Sequence, residues 1–522
     1  MEPTLPIVVC LISVVALGIA YTSNAVWHRS RPLPPGPKPW PLLGNALDIS
    51  IEYLHRTFSE WCQCYGDIVY FSVLGRGAVT LNSMSVAQEL LNKRSAIYSD
   101  RPRSILIHEM INFSPNMPLM SYNDEWRRQR RWIQASLLDK TKLESYRPIE
   151  QREAIRMLGS ILRTPEAFAS LIRRYEGAIM LEVAYGRTIA AHDSDFVQLA
   201  SETIIKLTEA GSPSASLVDF VPILRYMPIW LPGSAWKRRA LDIRQLMQDV
   251  MCIPYEKTKR AMAAGTAAPS FLTALLEEMS ETRKGELSAE DERAMQGITS
   301  VLFAGEGATS LSATVVVSFV LAMVLNSDIC RKAQAEIDRV VGSERLPTFE
   351  DRDSLPYVEC VLRECFRWNA PLPIGIPHQV MDDDLYRGFL IPKGTIIIAN
   401  LWHMTRDPDV YPEPEVFWPE RYLEMDASTF DAIDPRKIVF GFGRRLCPGR
   451  QLADSSIWLA IACLLATLDF NKARDSTGNE ITPMAEFVPG AVSHPKPFVC
   501  SIRPRTQKAA ELIYDIEAAE GL

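Results

Sequence analysis

The chain has little that would divide it. After about residue 45 its 522 residues contain no low-complexity linker and no internal repeat, so one large catalytic domain is the default reading despite a length beyond that of a typical single core. It also lacks an excess of basic charge. A formal net charge of −7 excludes nucleic acid as the main partner. Cysteine is scattered, with ten residues at 10, 62, 64, 252, 330, 360, 365, 447, 463 and 500, which is not the density of a disulfide-stapled secreted domain and fits a reducing compartment. Hydrophobic residues at 47% and charged residues at 23% exclude both disorder and a many-pass membrane protein.

The N-terminus carries a long uncharged run. Leu5 to Tyr21 comprises seventeen residues without a charge, preceded by Glu2 and followed by His28, Arg29 and Arg31. This predicts a single transmembrane anchor over 1–25, with the bulk of the chain cytosolic. A cleaved signal peptide is the competing reading, because Ser23-Asn24-Ala25 loosely resembles a cleavage site, but no basic residue precedes the apolar run. A connector over 26–45 follows. It holds six prolines between Pro32 and Pro41, which forbid helix and favour a stiff extended strap. The catalytic domain is then 46–522.

Within that domain, Asp67–Val73 reads as strand and Ser83–Lys93 as helix. From about 120 to 370 apolar residues recur at three and four, so helix dominates, with breaks at Pro213, Pro222, Pro228, Pro232 and Gly265. Phe389 to Ile398 reads as two short strands around a Pro-Lys-Gly turn. The predicted class is mainly α with small β-sheets.

The strongest local signal is Phe440-Gly441-Phe442-Gly443-Arg444-Arg445-Leu446-Cys447-Pro448-Gly449-Arg450, followed by an apolar helical run from Leu452 to Leu468. A cysteine where a loop enters a helix, beside arginines, is placed to ionise, and the thiolate is the metal-binding form. Glycines let backbone approach a flat cofactor, and Arg445 can reach an anionic group. A buried inert cysteine is the alternative for a lone residue. A zinc site is excluded by spacing, since Cys463 lies too far down the next helix and Cys62 with Cys64 offers two ligands only. The run resembles the haem-binding signature of the cytochrome P450 superfamily at every fixed position.

That resemblance implies a cytochrome P450 fold with a long central helix over haem b, and Cys447 as the iron ligand. Phe440, Gly441, Gly443, Gly449 and Arg445 would belong to the same haem-binding loop. It extends to Glu364-Cys365-Phe366-Arg367, similar to the family's Glu-x-x-Arg, and to Pro414–Tyr422, whose Arg421 would complete a buried triad with Glu364 and Arg367. Trp126 and Arg130 resemble the family's Trp-x-x-x-Arg, with the arginine on a haem propionate, and His378 resembles a further propionate contact. Arg127, Arg128 and Arg131, with Arg444 and Arg450, form a candidate docking patch for an acidic partner.

Ser288-Ala289-Glu290-Asp291 reads as a capping box opening a helix to about Asn326. A second membrane span over Val301–Leu325 is the alternative, disfavoured by Glu306 and the polar start. Within it, Ala304-Gly305-Glu306-Gly307-Ala308-Thr309-Ser310 resembles the family's oxygen-binding segment with one departure. Gly307 stands where an acid is expected and Ala308 where a threonine is, so Glu306 and Thr309 are the candidates to replace them in proton delivery.

The resemblance further implies a monooxygenase using O2 and electrons from NADPH through a separate flavoprotein reductase, with cytochrome b5 as a second donor. No flavin or nicotinamide motif appears in the chain. It implies an endoplasmic-reticulum membrane location and a lipophilic substrate of terpenoid, steroid or polyketide type in a pocket near Arg103–Met120, Ile204–Ile229, Phe303, Ala304, Ile374, Ile376, Ala491 and Val492. The wording of the haem loop and of Phe487–Pro495 is most similar to fungal enzymes of secondary metabolism. Two alternatives stand beside it: a haem-thiolate isomerase, dehydratase or peroxide-using enzyme, and a non-catalytic haem sensor or carrier.

Overall fold

A computed structural model describes residues 31–50, 52–186, 196, 199–200, 202–203, 206–207, 216–282, 287–303, 311–423 and 425–522. The predicted anchor over 1–25, the first residues of the connector, and Ala304, Glu306, Ala308 and Thr309 lie outside the described residues.

The longer helices are α1 (Leu54–Tyr65), α2 (Asp124–Leu137), α3 (Lys140–Arg163), α4 (Phe168–Tyr185), α5 (Ala235–Ala263), α6 (Phe271–Thr282), α7 (Ala289–Phe303), α8 (Leu311–Leu325), α9 (Ser327–Val340), α10 (Pro356–Trp368), α11 (Arg450–Thr467) and α12 (Gln507–Glu520). Local chemistry sets many of their ends. Asn123 accepts from Trp126 N at the start of α2, Asp139 caps α3 through Lys142 N, and Pro356 opens α10 at a position whose N–H would be unpaired anyway. Ser288 Oγ accepts from Asp291 N at 3.1 Å, which is the N-cap read from the sequence before α7.

Helix α8 is apolar on all sides and Ser312 to Val324 are buried, as a central core helix must be. It packs with α4, α9, α10 and α11 around one large cluster holding Phe319, Phe366 and Trp458. Among the described residues no single helix is long and apolar enough to cross a membrane. The expected continuous helix from about 288 to 326 is seen as α7 and α8 on either side of residues 304–310.

Strands form small sheets. β1 (Ile68–Val73) and β2 (Arg76–Leu81) make a hairpin whose two turn residues, Leu74 and Gly75, both have positive φ, as a twisted two-residue turn requires. β2 pairs in parallel with β6 (Ile396–Ala399), and β6 pairs with β3 (His378–Gln379). The two strands read around Pro-Lys-Gly exist but do not pair with each other: β5 (Phe389–Ile391) pairs with β4 (Asp384–Tyr386) in a separate sheet. Both edges of β6 are taken by β2 and β3, and the turn instead bonds to Val380, with Gly394 N donating to Val380 O at 2.8 Å. A third sheet orders β8 (Glu480–Ile481), β7 (Leu468–Arg474) and β9 (Cys500–Pro504). The first sheet shares a core with Leu90, Leu91, Ile438 and Phe442, and so holds one side of the loop that carries Cys447.

Candidate functional site

The loop before α11 is folded by its own backbone. Cys447 N donates to Phe440 O at 2.9 Å, Arg445 N to Phe442 O and Leu446 N to Gly443 O, the last two within a 3-10 turn at Gly443–Arg445. Gly443 has φ +57, and a Cβ there would lie 2.0 Å from Leu91 O, so only glycine lets the loop sit on that segment. Gly449 is the N-cap of α11, which places the half-buried Cys447 just ahead of a helix start. The positive end of the helix dipole and the nearby Arg130, whose charge interacts with that of Cys447, both favour a thiolate there.

Cys447, Phe440, Gly441 and Gly449 line a cavity together with Trp126, Arg130, Arg445, His378 and Ile376. Its walls are otherwise mostly apolar, with Ile133 and Leu137 from α2, Leu302 and Val315 from α7 and α8, and Phe366 from α10, and with Ser312 as a polar side chain. One end is cationic. Arg101 donates to Pro118 O at 3.0 Å and Pro377 O at 2.8 Å, Arg445 to Ser99 O at 2.8 Å and Met120 O at 2.7 Å, and Arg130 to Leu446 O at 2.7 Å. These bonds are to carbonyls rather than carboxylates. Burial therefore pulls Arg445 down to about 10, and burial followed by repulsion from Arg445 pulls Arg101 well below its ordinary value. His378, bound to Tyr98 O at 2.7 Å, is held well below its ordinary value by burial and then by Arg101, and so is neutral. The acid that supports Arg101 and Arg445 electrostatically is Asp100, which binds Tyr122 N and is not a lining residue.

A ligand carrying anionic arms would relieve this crowding. Trp126 Nε1 and Arg130 Nε are buried without a hydrogen-bond partner, and both residues line the cavity. The Arg445 guanidinium lies 4.4 Å over the Trp126 ring, which fixes both planes. Among the described residues no three His, Cys, Asp or Glu side chains converge on a point that could hold a metal ion. Haem suits the donor set, because a porphyrin brings four nitrogen ligands and needs one from the protein, while its propionates need cations and N–H donors.

Glu364, Arg367 and Arg421 come together behind the loop. Glu364 accepts from Arg367 at 2.7 and 2.8 Å, from Arg421 Nε at 3.3 Å, from Trp418 N at 2.8 Å and from Tyr422 OH at 3.1 Å, all with Glu364 and Arg367 fully buried.

Four of the expected pocket residues lie elsewhere. Phe303 turns away from the cavity to stack with Phe196 at 5.8 Å in the main core, because Val301 and Leu302 already occupy the lining face of α7. Ile374 packs with the Phe58 and Phe71 cluster under the first sheet. Ala491 and Val492 follow Gly490, half-buried, and are not among the lining residues. The docking patch also contracts: Arg128 is held by Glu125 at 2.7 Å and by the buried Asp291 at 2.9 Å, tying α2 to α7, while Arg127, Arg131 and Arg444 remain exposed. Arg101 went unnoticed in the sequence. Its only signal is an arginine before Pro102 in a short helix-to-coil junction, which reads as a surface residue until Ile376 and Pro377 are seen to fold over it.

The fold and the cavity are those of a haem-binding oxygenase, and the chain belongs to the cytochrome P450 family, whose model matches residues 34–501. It is 44% identical to cytochrome P450 monooxygenase 136 of Postia placenta, over 98% of this chain and 96% of that protein. It is 46% identical to cytochrome P450 monooxygenase 176 of the same fungus over 92% of each chain. It is 36% identical to tryptamine 4-monooxygenase of Psilocybe cyanescens, over 96% of this chain and 98% of that protein. The chain is an oxygenase of fungal type, and its family implies haem and O2-dependent monooxygenation.

Proposed function

We propose that the chain is a haem-thiolate monooxygenase in which Cys447 would supply the sulfur ligand to the haem iron, and which oxidises a lipophilic small molecule with electrons from NADPH through a separate reductase. The observation that carries this reading is the convergence on one cavity of the Cys447 loop, an end lined by three guanidiniums, and the unpartnered Trp126 Nε1. Arg101, Arg130 and Arg445, with Trp126, would hold the propionates; neutral His378 spends its Nδ1 proton on Tyr98 O, so its Nε2 would only accept unless a propionate charge draws a second proton onto the ring. When bound, the haem supplies O2 activation, which electron donation from a thiolate promotes. The residues do the rest: Leu302, Val315, Leu372 and Ile376 exclude water and orient an apolar substrate, and Glu306 and Thr309 are the candidates for proton delivery.

The described lining is dominated by Leu, Ile, Val, Met and Phe side chains, which suits a lipophilic substrate of terpenoid, steroid or polyketide type. A single-pass endoplasmic-reticulum anchor over 1–25 and a role in secondary metabolism complete the proposal. Exposed Leu217, Ile223, Tyr226, Ile229 and Trp230 support a membrane-facing surface, and Trp40, Leu42 and Leu47 extend it.

The test is spectroscopic. The reduced carbonyl adduct of the purified protein should show the red-shifted band of thiolate ligation, and Cys447→Ala should abolish it. Persistence of the band in the variant would end the reading. Product formation with NADPH should require added reductase; turnover without it would favour an isomerase or peroxide-using enzyme.

A further inference from the structure

A second charged network flanks the Cys447 loop and is separate from the Glu364 triad. Arg436, upstream of the cysteine, reaches Glu359 Oε1 at 2.9 Å, Asp434 Oδ2 at 2.7 Å and Asp454 Oδ1 at 2.7 Å. Asp454, downstream in the second turn of α11, gives its other oxygen to Arg352 at 2.7 Å. Arg352 also reaches Glu359 at 2.9 Å, and Arg363 reaches Asp434 at 2.7 Å. Three cations and three anions balance, with side chains 10–24% exposed.

The positions along the chain matter more than the count. Asp434 and Arg436 enter the loop and Asp454 leaves it, so the Arg436–Asp454 contact joins the backbone before the cysteine to the backbone after it. Glu359 and Arg363 fix that junction to α10. The side-chain partners of Glu364 lie on α10 and in the segment 418–422, and none lies between 434 and 454. Ion pairing across the two ends of the loop therefore falls to the second network, outside the backbone bond from Cys447 N to Phe440 O. Charge-assisted pairs this shielded are strong and weakly screened, and removing one member leaves its partners uncompensated.

We propose that Arg436 and Asp454 are positioning residues that staple the two ends of the Cys447 loop and so hold its sulfur at a fixed distance from the haem face. This rests on the reading of Cys447 as iron ligand.

The test uses full-length holoprotein carrying Asp454→Asn, Asp454→Glu, or the control Arg505→Gln, which removes a pair with Asp338 and bonds to Leu465 O and Ala466 O at the far end of α11 from Cys447. Amide exchange in the peptide spanning 440–449 should rise roughly tenfold in Asp454→Asn. Its reduced carbonyl adduct should convert from the thiolate-type to the thiol-type band at a pH where the unchanged protein does not. Asp454→Glu should restore most of both, and Arg505→Gln should change neither. Wild-type exchange and spectra in Asp454→Asn, or the same changes in Arg505→Gln, would overturn the proposal. If Asp454→Asn does not fold, Arg436→Lys keeps the charge but cannot span Glu359 and Asp454 together, and carries the same expectations and the same refutation. A missing thiolate-type band in the unchanged protein would refute the Cys447 assignment instead, and is distinguishable because loop exchange is read without the spectrum.

Discussion

Glu150 shows how far one buried side chain can depart from its ordinary chemistry. It is fully buried between α3 and α11, accepts from Ser455 Oγ at 2.6 Å through one oxygen and has no partner for the other, and burial raises it to about 8. The folded protein therefore keeps a proton that the unfolded chain releases near 4.5. Stability falls as pH rises from that value to about 8 and is level above it with respect to this group. Glu150→Gln should flatten that slope, so the thermal midpoint of the variant, compared with the unchanged protein, gains most above pH 8. Arg101 makes a second case. Arg101→Gln keeps hydrogen-bond donors but loses the charge, and the haem-to-protein ratio after dilution should drop severalfold, whereas a residue with a purely packing role would leave it unchanged.

Glycine differs by position within one loop. Gly443 and Gly441 both have positive φ, +57 and +81, yet a Cβ at Gly443 strikes Leu91 O while one at Gly441 meets no protein atom within 4 Å and lies at the cavity wall. Gly441→Ala adds backbone strain of about 1–2 kcal/mol, and Gly443→Ala adds the same strain and forces the loop off the Leu91 segment. Gly443→Ala should therefore yield little haem-loaded protein, and Gly441→Ala appreciably more, measured by Soret absorbance per mole of chain. The loop was legible as an element because its glycines, arginine and cysteine sit at fixed short spacings. So was the start of α7, since Ser288 and Asp291 lie one helical turn apart. Strand pairing was not legible: β5 and β6 are adjacent in sequence but enter different sheets, because partners for β6 come from residues 78–81 and 378–379.

Over the whole molecule, two exposed apolar groups fall on one side. The stretch Trp40–Gly44 bridges to Val73 at the end of β1, and Arg76, across that turn, lies over the Phe220 ring, which shortly precedes the exposed Ile223, Tyr226 and Trp230 in the chain. Neighbouring apolar side chains of this size are unusual on a fully solvated surface. Replacing Ile223, Tyr226 and Trp230 with Ser in a chain lacking residues 1–30 should lower co-sedimentation with liposomes severalfold while leaving the carbonyl spectrum unchanged; unaltered binding would remove this surface from the membrane reading.

The sequence by itself determined the class of fold, the family and the cysteine, since these follow from helical periodicity and from motifs whose members lie within one or two turns of each other. Tertiary structure decided what depends on residues far apart in the chain. It brought Arg101 to a cavity wall, turned Phe303 into the core, withdrew Arg128 from the surface by pairing it with Asp291, and closed the Cys447 loop through Arg436 and Asp454. Local spacing fixes which face a residue shares with its near neighbours, but what that face meets is set by packing, and packing energies arise only once distant segments exclude water between them.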